Sequence, residues 1–153
     1  IDLARNDLAS IAKPATTRVE QSFNIVKYAH VQHLVSAVAA ELRPNYDALT
    51  AYLGTMNMGT LTGAPKPAAM QLIANYETNA RGYFGGAFAY LGHRGELEST
   101  IVIRAMRFKH NKVYIRAAAG IVADSQTDKE WQETEHKARA CLQALQEATR
   151  DHR

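Results

Sequence analysis

Four small groups of residues in this chain carry types and spacings that chemistry could use. Arg104 is the first. Read as a strand, residues 99–109 put Thr100, Val102, Arg104, Met106 and Phe108 on one face, so a guanidinium stands among apolar neighbours. That charge is costly to bury unless it meets an anion, and its planar fork suits a carboxylate bidentately. The same pattern also fits an arginine at a sheet edge, or one paired with an internal Asp or Glu. His33 is the second. Alternation over residues 30–39 sets Val31, His33, Val35 and Ala37 on one face and His30, Gln32, Leu34 and Ser36 on the other. A histidine on an apolar face is more often a satisfied core residue than a catalyst. Glu133 and Lys137 are the third group, four residues apart and off the apolar stripe of the last helix. Their spacing describes a surface ion pair worth about a few tenths of a kcal/mol. The fourth is Met56-Asn57-Met58-Gly59-Thr60-Leu61-Thr62-Gly63-Ala64-Pro65-Lys66, nearly uncharged and rich in glycine and threonine. Glycine lets backbone approach a ligand closely, and Pro65 suits the first turn of a helix whose free N–H groups favour anions. An ordinary loop-to-helix junction would read the same way.

The elements that must position these groups follow from periodicity. Leu3, Ala4, Leu8 and Ile11 repeat at helical spacing up to Pro14, with Asp2, Arg5, Asn6 and Asp7 as a solvated polar side. Residues 17–28 are rich in β-branched and aromatic types and read as a strand, and 30–39 as a second. Asn45 can cap a short helix that buries Leu49, Tyr52 and Leu53 and ends at Gly54. A helix from Lys66 carries Ala69, Met70, Ile73 and Tyr76. Residues 83–91 read as a strand with an internal glycine pair, followed by a turn over 92–95. Residues 99–109 and 113–119 return as strands about a turn at 110–112. Thr127 and Glu130 form a capping box, and Trp131, Thr134, Ala138, Cys141, Leu145 and Ala148 the inner stripe of the last helix. Strands in series with helices before and after indicate an α+β fold.

The totals bound the function. At 153 residues, the chain has one domain's length, with 46% hydrophobic and 22% charged residues. One cysteine allows no intrachain disulfide and gives no hint of an oxidising compartment, so a cytoplasmic protein is expected. No apolar run approaches the length of a membrane span. There is no zinc-type Cys/His cluster, P-loop or dinucleotide fingerprint. A net charge of +3 is too small to argue for nucleic acid. Arg104, Arg107, Lys109, His110, Lys112 and Arg116 do make one stretch basic, but they divide between two strand faces without a series of stacking aromatics. A nucleic-acid-binding module is therefore the competing class, and no nucleic acid or membrane partner is expected.

The stretch from Met56 to Lys66 resembles the equivalent segment of anthranilate synthase component I, a family of chorismate-using subunits of tryptophan biosynthesis. Collinear blocks share the resemblance: Ile1 to Leu8, Tyr28 to Ser36, Ile101 to Arg104, Ala119 to Ser125, Glu133-Thr134 and Lys137 to Arg139. It implies an α+β fold of antiparallel sheets packed face to face with helices outside. It also implies that residues 1–153 are the C-terminal part of a larger catalytic domain. The implied reaction joins chorismate and ammonia to give anthranilate and pyruvate. Magnesium is the implied cofactor, and a glutamine amidotransferase subunit the implied source of ammonia. By resemblance Glu133 binds the metal, with a further carboxylate lying before Ile1. Arg104 holds the enolpyruvyl carboxylate, backbone at Ala118, Ala119 and Gly120 binds a second carboxylate, Gly59 and Thr60 line the pocket, and His33 acts as acid or base. Two positions depart from the family pattern: Phe84 stands where a tyrosine is usual and Ala118 where a glycine is usual. Tyr83, next to Phe84, is expected on the opposite face of its strand. Aminodeoxychorismate synthase component I and isochorismate or salicylate synthases are the related alternatives. A chain cut from its partners in the sheet is expected to be inactive alone and to self-associate.

Overall fold

The computed structural model describes residues 1–27, 32–56 and 58–150. Tyr28, His30, Val31 and Asn57, named above, lie outside them. The elements are α1 (Asp2–Ala9), β1 (Arg18–Lys27), β2 (Gln32–Ala39), α2 (Ala48–Thr55), α3 (Gly59–Thr62), α4 (Lys66–Tyr76), β3 (Ala87–Leu91), β4 (Leu97–Ile101), β5 (Met106–Lys109), β6 (Lys112–Ile115) and α5 (Thr127–Arg150). This is the expected α+β composition. Among the described residues the strands pair as β1–β2, β3–β4 and β5–β6. The chain divides into two compact units, residues 1–76 with 90–98, and residues 77–89 with 99–153.

In the first unit, α1 ends at Ala9, and Ser10 still holds a helical backbone. The chain then runs beside residues 41–43. Ala12 bridges Leu42, and the amides of Lys13 and Arg43 donate to the carbonyls of Glu41 and Ile11. Ile11 and Ala12 are buried there. Arg43 closes the end of α1, donating from Nε to the Ala12 carbonyl at 2.9 Å and from Nη2 to the Ala9 carbonyl at 3.3 Å. A cation suits the partial negative charge at a helix C-terminus.

The β1–β2 pair is antiparallel, with Val26 opposite His33 and Asn24 opposite Val35. Its register shifts on either side of Gln21, and Phe23 takes a left-handed φ of 56° while its amide donates to Ser36 Oγ. Alternation along β2 therefore holds only at first: His33 and Val35 are half-buried, Gln32 and Leu34 exposed, and every residue from Val35 to Ala39 is half-buried. Two helix boundaries differ from expectation. Asp47 caps α2, accepting from the Thr50 amide at 2.7 Å, whereas Asn45 sits in the preceding turn at φ 69°. Gly54 lies inside α2 because Ile11 packs where a side chain would go. Of the expected buried side, only Tyr52 is half-buried, with Leu49 and Leu53 exposed.

In the second unit, residues 82–85 form a turn, so Tyr83, Phe84 and the glycine pair are not in a strand. Gly85 needs its φ of 78° there, a conformation glycine takes without strain. Beyond the turn the amides of Gly85 and Val102 still ladder to Val102 and Gly86. The expected strand over 99–109 is broken, since residues 103–105 leave the ladder between β4 and β5. His110 and Asn111, at φ 47° and 60°, make a two-residue turn that fixes Lys109 opposite Lys112. The last strand stops at Ile115, and 116–126 has no regular structure. Helix α5 begins with Thr127 already inside it; the carbonyl of Gln126 accepts from Lys129 and Glu130. Its inner stripe is as the spacing predicts at Thr134, Ala138, Cys141 and Leu145, but Trp131 and Ala148 are exposed.

Candidate functional site

In the first unit the glycine-threonine stretch folds as a single helical turn, α3, leading into α4. The Met58 carbonyl accepts from the amides of Leu61 and Thr62, and Gly63 leaves the turn at φ 104°. An anion does sit at the start of this turn, and it is internal. Asp7 Oδ2 accepts the Gly59 amide at 3.2 Å, and Asp7 Oδ1 accepts Lys66 Nζ at 2.7 Å. Lys66 Nζ also lies 3.5 Å from the Met56 carbonyl. Asp7 therefore does not belong to a solvated face. Its side chain is 14% exposed, on the side of α1 that carries Leu3 and Leu8. Only the outer part of that helix behaves as expected, with Arg5 reaching Asp2 in the open. Gly59 is buried against Leu3, whereas Thr60 is exposed. His33 stands half-buried near the start of β2, in the strand pair that α1 also packs against.

In the second unit Arg104 is exposed on the bend between β4 and β5, with a left-handed φ of 51°. This corrects the placement on an apolar strand face. A bulky residue in that region is uncommon. Behind the 82–85 turn lies a charged cluster. Glu77 accepts from Arg81 Nε at 2.9 Å through Oε2 and from Arg81 Nη2 through Oε1. Arg116 Nη2 approaches Glu77 at 3.7 Å and donates to the Asn79 carbonyl at 3.1 Å. Arg81 hydrogen bonding holds the Glu77 carboxyl below its ordinary range, and the same bond raises the Arg81 guanidinium. Arg81 lies over the Phe84 ring, and Arg107 over the rings of Tyr83 and Tyr114. Strand alternation does not turn Tyr83 away from Phe84, because both residues are on a turn. The basic stretch is also not a free cationic face, since Arg107 and Arg116 are engaged by aromatic rings and by Glu77.

Lys137 joins the remaining site residues. It forms an ion pair with Glu133 one turn earlier on α5, as the spacing predicts. Its Nζ also donates to the Ala118 carbonyl at 3.0 Å. Glu133 and the segment Ala118-Ala119-Gly120 are thus brought to one lysine. Ala118 and Gly120 are exposed and Ala119 half-buried, and among the described residues no atom beyond its chain neighbours lies within 4 Å of where a Cβ on Gly120 would stand. Glu133 is 49% exposed, and Glu130 stands three residues before it on the same side of the helix. Among the described residues there is no group of three His, Cys, Asp or Glu that could hold a metal ion. None of the described helices is long and apolar enough to cross a membrane. Sequence reasoning missed Asp7 and Lys66 as partners and Lys137 as a link. Asp7 was legible from its i, i+4 relation to Leu3; the two long-range contacts had no local signal.

Known proteins resemble this chain throughout. It is 43% identical over 146 residues to anthranilate synthase component 1 of Aquifex aeolicus, which covers 95% of this chain and 30% of that protein. To the Salmonella typhimurium protein of the same name it is 49% identical over 145 residues, covering 95% of this chain and 28% of that one. The crystal structure of anthranilate synthase component I from Streptococcus pneumoniae superposes with a TM-score of 0.83 at 39% identity, over 90% of this chain and 32% of that chain. A structure from Bacillus anthracis, described as a 2,3-dihydroxybenzoate-specific isochorismate synthase, gives the same TM-score at 25% identity, over 95% of this chain and 38% of that one. The chain thus spans about 30% of the length of the curated relatives it matches. With residues 1–143 matching its family description, the chain belongs to the chorismate binding enzymes.

Proposed function

We propose that this chain serves in an anthranilate synthase, converting chorismate and ammonia to anthranilate and pyruvate in the cytoplasm, with the ammonia released from glutamine by a partner amidotransferase subunit. The observation that carries the reading is the Lys137 junction, which draws Glu133 to the Ala118–Gly120 segment. A dicarboxylate substrate needs a cationic anchor and backbone donors, and in this reading Lys137, shared with Glu133 and the Ala118 carbonyl, and the segment with exposed Gly120 would serve. The Ala119 and Gly120 amides would bind one carboxylate, with Ala118 in place of the usual glycine. Arg104 would clamp the enolpyruvyl carboxylate in a bidentate pair. Gly59 and Thr60 would line the pocket, and His33 would move a proton during loss of the hydroxyl or of pyruvate. Magnesium binds through one or two carboxylates and keeps several waters, so Glu133, with Glu130 beside it, has the right donor type. When bound, the ion would anchor a substrate carboxylate and assist departure of the hydroxyl. The test is anthranilate fluorescence from chorismate, magnesium and ammonia with the full-length enzyme. Arg104→Ala should lose turnover by about a hundredfold or more with an unchanged far-ultraviolet circular dichroism spectrum. Wild-type kinetics in that variant would remove Arg104 from the site. The related reading, an isochorismate synthase, rests on the Bacillus anthracis likeness and would give isochorismate in place of anthranilate.

The surface supports a second part of the proposal, that further protein covers these strands. The accessible area is 12037 Å², whereas a folded monomer of this mass exposes about 7,700 Å², and two separate domains of these sizes about 9,300 Å². Phe23, Ile25 and Leu34 on β1–β2 and Phe88 on β3 are each more than 60% exposed. Apolar strands left this open favour pairing and packing with more polypeptide. In the isolated chain that cover would be a second copy.

A further inference from the structure

We propose that Asp7 is a positioning residue for the loop that carries Gly59 and Thr60. The proposal rests on the reading of that loop as part of the chorismate pocket. One carboxylate holds both ends of the stretch: the Gly59 amide at its entry to α3 and the Lys66 ammonium at its exit into α4. Lys66 turns back to the Met56 carbonyl as well, so the chain before and after α3 meets at a single ion pair. These contacts span 52 and 59 residues of sequence. The pair is well shielded, with Asp7 14% and Lys66 31% exposed, unlike the open Arg5–Asp2 pair on the same helix. Gly59 seats tightly as well, since a Cβ there would stand 3.1 Å from Leu3 Cδ2. Asp7 thus occupies the place at the Gly59 amide where a ligand anion could otherwise bind. It leaves the next residue, Thr60, facing solvent. Its role is to fix the loop, so it acts on substrate only through Thr60 and its neighbours.

Two measurements test this. The first is hydrogen exchange by mass spectrometry on the 153-residue chain. Asp7→Ala and Lys66→Met should each speed exchange of the peptide covering 56–66 by about tenfold or more while α5 is unchanged, and Asp7→Glu should stay near wild type. Unchanged exchange in both loop variants overturns the latch. The second is chorismate kinetics in the full-length enzyme. Asp7→Ala should raise KM for chorismate by about tenfold with kcat within about twofold, and Asp7→Glu should restore most of the loss. An unchanged KM, or equal loss in the Glu variant, overturns the positioning role. If the wild-type enzyme forms no product from chorismate, the functional reading fails, and the exchange experiment still decides the latch.

Discussion

Replacing Glu77 by Gln should destabilise the chain, and by an amount that depends on pH. Glu77 is the acceptor for both arms of Arg81 and lies 3.7 Å from Arg116. Glutamine keeps the shape but offers one neutral acceptor, so the second Arg81 bond loses its partner. Arg116 loses its counter-charge, and its Nη1 is already enclosed without an acceptor among the described residues. A hydrogen bond to a charged group contributes about 1.5–3 kcal/mol. Glu77 and Arg81 side chains are 30% and 24% exposed, and solvent screening reduces the figure to about 1–2 kcal/mol. The sign with pH follows from the depressed carboxyl. Its contribution is complete above the ordinary value of 4.5 and is lost as pH falls through the lower folded value. Urea unfolding followed by circular dichroism, run from neutral pH down through the carboxylate range, should show the wild-type advantage at neutrality shrinking towards nothing in acid. A gap below about 0.3 kcal/mol at neutral pH, or one that stays constant with pH, would refute the reasoning.

Two further outcomes are expected. Glu133→Gln should leave unfolding within about 0.5 kcal/mol of wild type, since an exposed pair at this spacing contributes no more. In the full-length enzyme it should raise the magnesium needed for half-maximal activity by about tenfold or more; an unmoved titration would leave Glu133 as a surface partner of Lys137 only. Light scattering on the isolated chain should find dimers or larger species. A monodisperse monomer would contradict the covering role assigned to the open strands.

Local patterns carried much of the fold. The periodicities of α4 and α5, the β-rich composition of β1, the turn at 110–111 and the α+β order were all readable, because each depends on neighbours within a turn or a hairpin. The Glu133–Lys137 pair was readable for the same reason. Arg104 was not, because alternation assumes an unbroken strand, and the ladder stops at residues 103–105. The capping of α2 passed from Asn45 to Asp47, where both residues have the right chemistry and only backbone geometry decides between them. The Asp7 latch depends on contacts more than fifty residues apart, which no periodicity encodes. The roles of Arg104, Glu133 and the Ala118–Gly120 segment came from likeness to a family, since composition and spacing alone suggested blander readings for each.

Cys141 gives this chain an internal clock. It is the sole cysteine, it lies on the inner stripe of α5, and only 6% of it is exposed. A thiol reagent therefore has one place to react, and burial of that residue makes the reaction wait on local opening around the helix. When reclosing outpaces labelling, the ratio of the observed rate to that of a free thiol equals the fraction of time the helix stands open. No dye, tag or added residue is required. Substrate, a partner subunit or a second copy that seats α5 more firmly would each lengthen the labelling time, and the same flask would rank them.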